Sequence, residues 1–85
     1  MGELSTLPNI GKVVEEQLEK VGITSYEKLK VLGAEQAWLK IQEMDDSACI
    51  HRLMALEGAI QGVKKTQLSE ERKKELKGFY EWKKK

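Results

Sequence analysis

Three glycines punctuate this 85-residue chain. Gly22, Gly33 and Gly62 each follow a stretch whose apolar side chains recur at helical spacing. A glycine just past the last periodic residue marks a helix end, because it enters the left-handed region without a Cβ clash. Ile10, Val14, Leu18 and Val21 form one apolar stripe, which predicts a helix over Lys12–Val21 closed by Gly22, with Ile23 packing back as the following hydrophobic residue. Glu15, Glu16 and Glu19 are expected on the outer face. A short helix through Leu32 carries Tyr26 and Leu29 inward and ends at Gly33. A third, Ala34–Met44, carries Ala37, Trp38 and Ile41 inward.

The longest helix is expected over Ser47–Gly62, with Cys49, Leu53, Leu56, Ile60 and Val63 on its apolar stripe. A second face of that helix is small: Ala48, Ala55, Ala59 and Gly62. Gly58 and Gly62 each cost a helix interior about 1 kcal/mol relative to alanine. Close packing, or a helix end near Gly62, is the expected compensation. After a connector over 63–68, Ser69 caps a last helix with Glu70 and Glu71 in its first turn. Leu76, Phe79 and Tyr80 of that helix reach the core, and Trp82 covers an edge. Two further caps are predicted: Thr24 with Glu27 in a capping box, and Asp45-Asp46-Ser47 before the long helix. With a lead-in turn at Leu4–Leu7 and no strand pattern, the chain reads as one compact all-α domain of five helices, fraying at 1–3 and 83–85.

A domain this small buries only about 60–65% of its unfolded surface, so each large apolar residue matters. The single cysteine, Cys49, makes no internal disulfide and is expected as an inert core thiol. No apolar run approaches membrane-spanning length and no signal-peptide pattern opens the chain, so a cytoplasmic setting is expected. The net charge of +1 is unevenly divided. Residues 1–62 carry six basic and ten acidic side chains, a net −4, whereas residues 63–85 carry nine basic and four acidic, a net +5.

The turn Leu7-Pro8-Asn9-Ile10-Gly11-Lys12 feeds the first helix. Pro8 presets its own φ and excludes Leu7 from the helical region. Asn9 and Gly11 tolerate positive φ. Such a turn leaves backbone N–H groups over Asn9–Val13 at a helix N-terminus, where an anion can be held. Asn9, Ile10, Gly11 and Lys12 are therefore candidate phosphate contacts. Charge to support them must come from the tail, where Lys64, Lys65, Lys73 and Lys77 are the candidates, within a wider basic set that includes Arg72 and Lys74. Against this stand Glu15 and Glu16 beside the turn, and a structural reading in which the turn latches the first helix onto the bundle.

The pattern Leu7-Pro8-Asn9-Ile10-Gly11, then Leu18, then Gly22-Ile23, resembles a helix-hairpin-helix unit. The run Leu29…Leu32-Gly33-Ala34, the segment from Leu53 to Gly62, and Leu68-Ser69…Lys73…Leu76 resemble the C-terminal domain of the TfoX/Sxy family. The resemblance covers residues 4 to 80 and implies a SAM-like five-helix bundle opened by a helix-hairpin-helix element. Family members with both domains are implicated in regulating natural competence, and this chain is expected to be the C-terminal domain alone. DNA-binding members of the helix-hairpin-helix class hold a phosphate on glycine-rich turn amides; here Asn9 stands at one such glycine position.

Catalytic and metal chemistry find little support. Cys49 and His51 are two residues apart and do not share a helix face, no second histidine exists, and Asp45-Asp46 lack calcium-loop spacing. No nucleophile elbow is present, and no cofactor or small-molecule substrate is expected. The leading expectation is a non-enzymatic regulatory module acting by protein–protein contact, with a homodimer as one form. The alternative is nucleic-acid binding through the hairpin amides and the basic C-terminal helix.

Overall fold

The computed structural model describes residues 3–46 and 48–84. Among these, five α-helices and two 3-10 turns occur and no strand. A 3-10 turn, Glu3–Thr6, leads into the hairpin; α1 is Lys12–Lys20, α2 Tyr26–Leu32, α3 Ala34–Met44, α4 Ile50–Gln61; a second 3-10 turn, Lys65–Gln67, precedes α5, Glu70–Lys84. The expected fraying at 1, 2 and 85 lies outside the described residues.

The glycine stops form as the spacing predicts. Gly22 (φ 88°) ends α1 in a Schellman arrangement: its N–H donates to Glu19 O at 3.1 Å and the Ile23 N–H donates to Leu18 O at 2.8 Å. Gly33 (φ 90°) separates α2 from α3, and Gly62 (φ 78°) ends α4. Trp38 is fully buried at the centre of the core. Its indole meets Phe79 and Tyr80 edge-on, with ring centroids 6.1 and 5.5 Å away. Leu18, Leu29, Ile41, Leu53, Leu56 and Leu76 complete a core drawn from all five helices. Burial of one such side chain contributes about 1.5–3 kcal/mol. Tyr26 spans from α2 to α4, its hydroxyl donating to Ile60 O at 2.7 Å.

Several local expectations are corrected. The N-cap of α2 is Ser25, whose Oγ accepts from the Lys28 N–H at 3.2 Å; Thr24 stands one residue outside, its Oγ1 taking the Lys28 ammonium at 3.3 Å. Thr24 has Glu27 at capping-box spacing, but the residue three after Ser25 is Lys28, so the box does not form and the Ser25 hydroxyl alone caps the helix. The helix expected as the longest begins at Ile50, so the Asp45-Asp46-Ser47 cap does not form, and it has 12 residues against 15 in α5; Ser47 itself lies outside the described residues. Asp45 instead ends α3 and accepts from Gln17 Nε2 at 2.9 Å. Arg52 Nη1 donates to Gln17 Oε1 at 2.6 Å and lies 3.8 Å from Asp45 Oδ2, which ties α1, α3 and α4 together.

Because α4 starts late, Cys49 is its extended N-cap residue (φ −104°, ψ 178°) and its side chain is exposed, not buried; Ala48 takes the buried place. The Cys49 carbonyl accepts from the Trp38 indole N–H at 3.2 Å. Partial burial pushes the Cys49 thiol up, but the backbone N–H groups of Arg52 and His51 and the Arg52 charge outweigh it and hold the thiol below its ordinary value. Glu15 is buried rather than outward, because its Oε2 accepts the Ser5 N–H at 3.1 Å and closes the N-terminal 3-10 turn onto α1.

The basic tail is also less uniform than its sequence. Arg72 donates to Glu35 and Glu57 at 3.0 Å each and to Glu75 at 3.1 Å, so it fastens α5 to α3 and α4 and is withdrawn from the set available to an anion. Its partner Glu57 is buried on α4 and also accepts from Gln61 Nε2 at 2.5 Å. Burial raises the Glu57 carboxyl, yet the hydrogen bonds from Arg72 and Gln61 and the Arg72 charge bring it below the usual carboxylate value. The same contacts, led by the Glu57 hydrogen bond, push the Arg72 guanidinium further up.

Candidate functional site

The hairpin turn and the connector before α5 are more than 50 residues apart in sequence and meet in space. Asn9 joins them. Its backbone is left-handed (φ 68°), a conformation asparagine accepts more readily than most residues. Its side chain points into the fold: Nδ2 donates to Val63 O at 3.0 Å and Ala55 O at 3.5 Å, and Oδ1 accepts from the Lys65 N–H at 3.1 Å. The connector is closed on itself as well, with Gln67 Oε1 accepting from the Lys64 N–H at 3.1 Å and the Gln67 N–H donating to Lys64 O at 2.8 Å.

Gly58 makes room for this. A Cβ on Gly58 would stand 2.5 Å from Asn9 Nδ2, 2.7 Å from Val63 O and 3.2 Å from Lys65 N. The glycine in the interior of α4 is therefore accounted for by close approach of a side chain and a loop. The turn is a latch, and what it latches is the α4–α5 connector as well as α1.

A surface cleft of about 460 Å³ opens between the two segments, lined by Pro8, Asn9 and residues 62–67. It brings together Asn9, Lys64 and Lys65 of the sequence candidates. Lys73 reaches its edge from α5, where its ammonium donates to Thr66 O at 3.3 Å and pairs with the exposed Glu70 at 3.5 Å. Ile10 is buried, its N–H donating to Leu7 O at 3.3 Å. Gly11 is the exposed N-cap of α1, without a side-chain cap bond, and Lys12 is exposed beside it. Neither lines the hairpin cleft, and Lys12 lines a different one with Glu15, Glu16 and Glu19. Lys77 is exposed on α5 and does not line the hairpin cleft. Sequence reasoning missed Gln67, Thr66 and the Val63 carbonyl; the costly glycine inside α4 was the one available signal that something approaches there.

A second cleft, of about 590 Å³, lies at the junction of α1 and α2. Val21, Ile23, Val31 and Leu32 supply its apolar surface, and Glu27, Lys28 and Lys40 its charged rim. Val31 is 87% exposed there. Among the described residues, no group of three or more histidine, cysteine, aspartate or glutamate side chains could hold a metal ion, and no helix is long and apolar enough to cross a membrane.

These features define an all-α domain entered through a hairpin turn that is bolted to its own connector. The chain belongs to the TfoX C-terminal domain family, whose model matches residues 1–80. It is 36% identical over 73 residues to Protein Sxy of Escherichia coli strain K12, a match covering 86% of this chain and 35% of that protein, so the chain spans about a third of the length of this relative. Two crystal structures of Listeria monocytogenes proteins share the fold. An uncharacterised protein in a triclinic form is 48% identical with a TM-score of 0.94, over 95% of this chain and 92% of that one. A protein of unknown function in a tetragonal form is 49% identical with a TM-score of 0.92, over 94% and 98% respectively.

Proposed function

We propose that this chain is a non-enzymatic regulatory module that acts by protein–protein contact, in the service of competence-type regulation of the kind associated with two-domain members of its family. The observation that carries this reading is the apolar cleft between α1 and α2. Val31, 87% exposed, stands beside Val21, Ile23 and Leu32 inside a rim bearing charges of both signs. An apolar centre with a polar margin is the composition of a protein-binding patch. The expected small-residue face does not serve this purpose, because Ala48, Ala55 and Ala59 are already buried within the chain and only Gly62, at the end of α4, is exposed. The homodimer form of this reading therefore uses the α1–α2 cleft.

The test is sedimentation equilibrium of the wild-type chain and Val31→Lys across a wide concentration range, alone and mixed with the N-terminal domain of a two-domain family member. Association that the lysine variant loses, at unchanged helicity, is the expected result. A chain that remains monomeric and ignores the added domain removes both forms of the reading.

A further inference from the structure

The cleft between the hairpin and the connector differs in charge from the other clefts described. Three other surface clefts each include at least one glutamate: Glu27, Glu16 with Glu19, and Glu15 with its neighbours. The hairpin cleft is lined by no carboxylate and by two lysines, Lys64 and Lys65. Neither lysine is in an ion pair among the described residues. Lys73 adds a third ammonium at the edge, near Thr66 O, and its pairing with Glu70 at 3.5 Å is to a solvent-exposed carboxylate that a phosphate can displace. The lysines ride on a connector whose backbone is pinned by Asn9 at one point and by Gln67 at another. Their stems therefore project from a fixed base, which lowers the ordering cost of engaging an anion.

We propose that this cleft holds the phosphodiester backbone of a nucleic acid, with Lys64, Lys65 and Lys73 as the neutralising groups. The proposed contact runs through the lysine ammonium groups; of the hairpin residues beside them, Ile10 is buried with its N–H engaged by Leu7 O, and the Asn9 side chain faces inward. None of the strongly exposed large apolar side chains (Val13, Val31, Met44, Trp82) lines the cleft, which sets it apart from a lipid-inserting surface. The contact is electrostatic and reads no base edge, so AT-rich and GC-rich duplexes bind alike. This site is separate from the α1–α2 cleft and stands or falls independently of it.

The experiment titrates fluorescent duplex DNA with the wild-type chain, Lys64→Ala/Lys65→Ala, and the control Lys30→Glu on α2, which changes the net charge by the same amount at an exposed residue outside both clefts. Both lysine side chains of the test pair can be removed without touching the latch, since Asn9 and Gln67 hold backbone N–H groups. Three neutralised phosphates give an affinity that falls about 40-fold between about 50 and about 200 mM salt. Removing Lys64 and Lys65 lowers the slope of log affinity against log salt by about 2, with the control unchanged and circular dichroism the same for all three. No binding at the lower salt overturns the proposal, as does a loss confined to the α2 control. Two further arms separate the sources of phosphate. If inorganic phosphate displaces the DNA at equal phosphate concentration, the site is a small-anion site. If phosphatidylcholine vesicles containing phosphatidylserine bind and DNA does not, the surface is a membrane one. Either outcome overturns the nucleic-acid assignment.

Discussion

The side-chain nitrogen of Asn9 occupies the space in which a β-carbon on Gly58 would stand, 2.5 Å from that position. The backbone of the connector is almost as near, with Val63 O at 2.7 Å. An α-helix that is continuous from Ile50 to Gln61 thus carries a notch into which a turn from the start of the chain is inserted. Gly58→Ala is expected to destabilise the fold although alanine is the better helix former, because neither Asn9 nor the Val63 carbonyl can retreat without losing hydrogen bonds. Gly78→Ala is the matched control: nothing lies within 4 Å of its Cβ position on α5. It should stabilise by about 0.5–1 kcal/mol. Thermal or urea unfolding of the two variants reads opposite signs.

The latch itself separates backbone from side-chain effects. Asn9→Ala loses the bonds to Val63 O and the Lys65 N–H and also places alanine in the left-handed region. The lost bonds cost about 1–3 kcal/mol, and the conformation adds about 1–2 kcal/mol. Asn9→Gly loses only the bonds and should be the milder variant in urea denaturation. Equal destabilisation by the two would show that the backbone conformation at Asn9 carries no strain for other residues.

Arg72 and Glu57 predict an acid-sensitive fold. The Glu57 carboxyl lies below its ordinary value in the folded chain, so the unfolded chain binds more protons as the pH falls. The stabilisation is fully present above the unfolded carboxylate value of about 4.3. It is lost progressively as the pH drops from there through the lower folded value. Glu57→Gln should therefore flatten the acid limb of a stability–pH curve. Arg72→Met should be more damaging at neutral pH than Glu57→Gln, because it leaves Glu57 charged and buried without its main partner.

The cap register at α2 gives a sharper contrast. Ser25→Ala removes the side-chain acceptor for the Lys28 N–H and should cost about 1 kcal/mol. Thr24→Ala removes only an exposed contact to the Lys28 ammonium, and surface changes of that kind fall within about 0.5 kcal/mol. Reversal of that order in chemical denaturation would place the cap at Thr24.

Much of this architecture was legible from residue spacing. The helix ends at Gly22, Gly33 and Gly62 and the inward faces of α1 and α3 follow from local chemistry, since a left-handed stop and a 3.6-residue apolar period involve only neighbours in sequence. The start of α4 was not legible. Whether a helix begins at Ser47 or Ile50 depends on how the α3–α4 loop packs, and the Trp38 indole taking the Cys49 carbonyl is a tertiary event. The inward Glu15 and the engaged Arg72 belong to the same class, because each charge found a partner on another element.

The same division runs through the candidate site. The sequence by itself determined a hairpin turn at Pro8–Asn9, a basic tail and a costly glycine within a helix, but not that the glycine admits the turn. Only the tertiary structure decided that Asn9 turns inward, that Gly58 admits it and that Lys64 and Lys65 line the resulting cleft. The physical reason is range. Turn and helix chemistry are set within a few residues, whereas a side chain that satisfies a carbonyl 54 positions away is chosen by the packing of the whole chain.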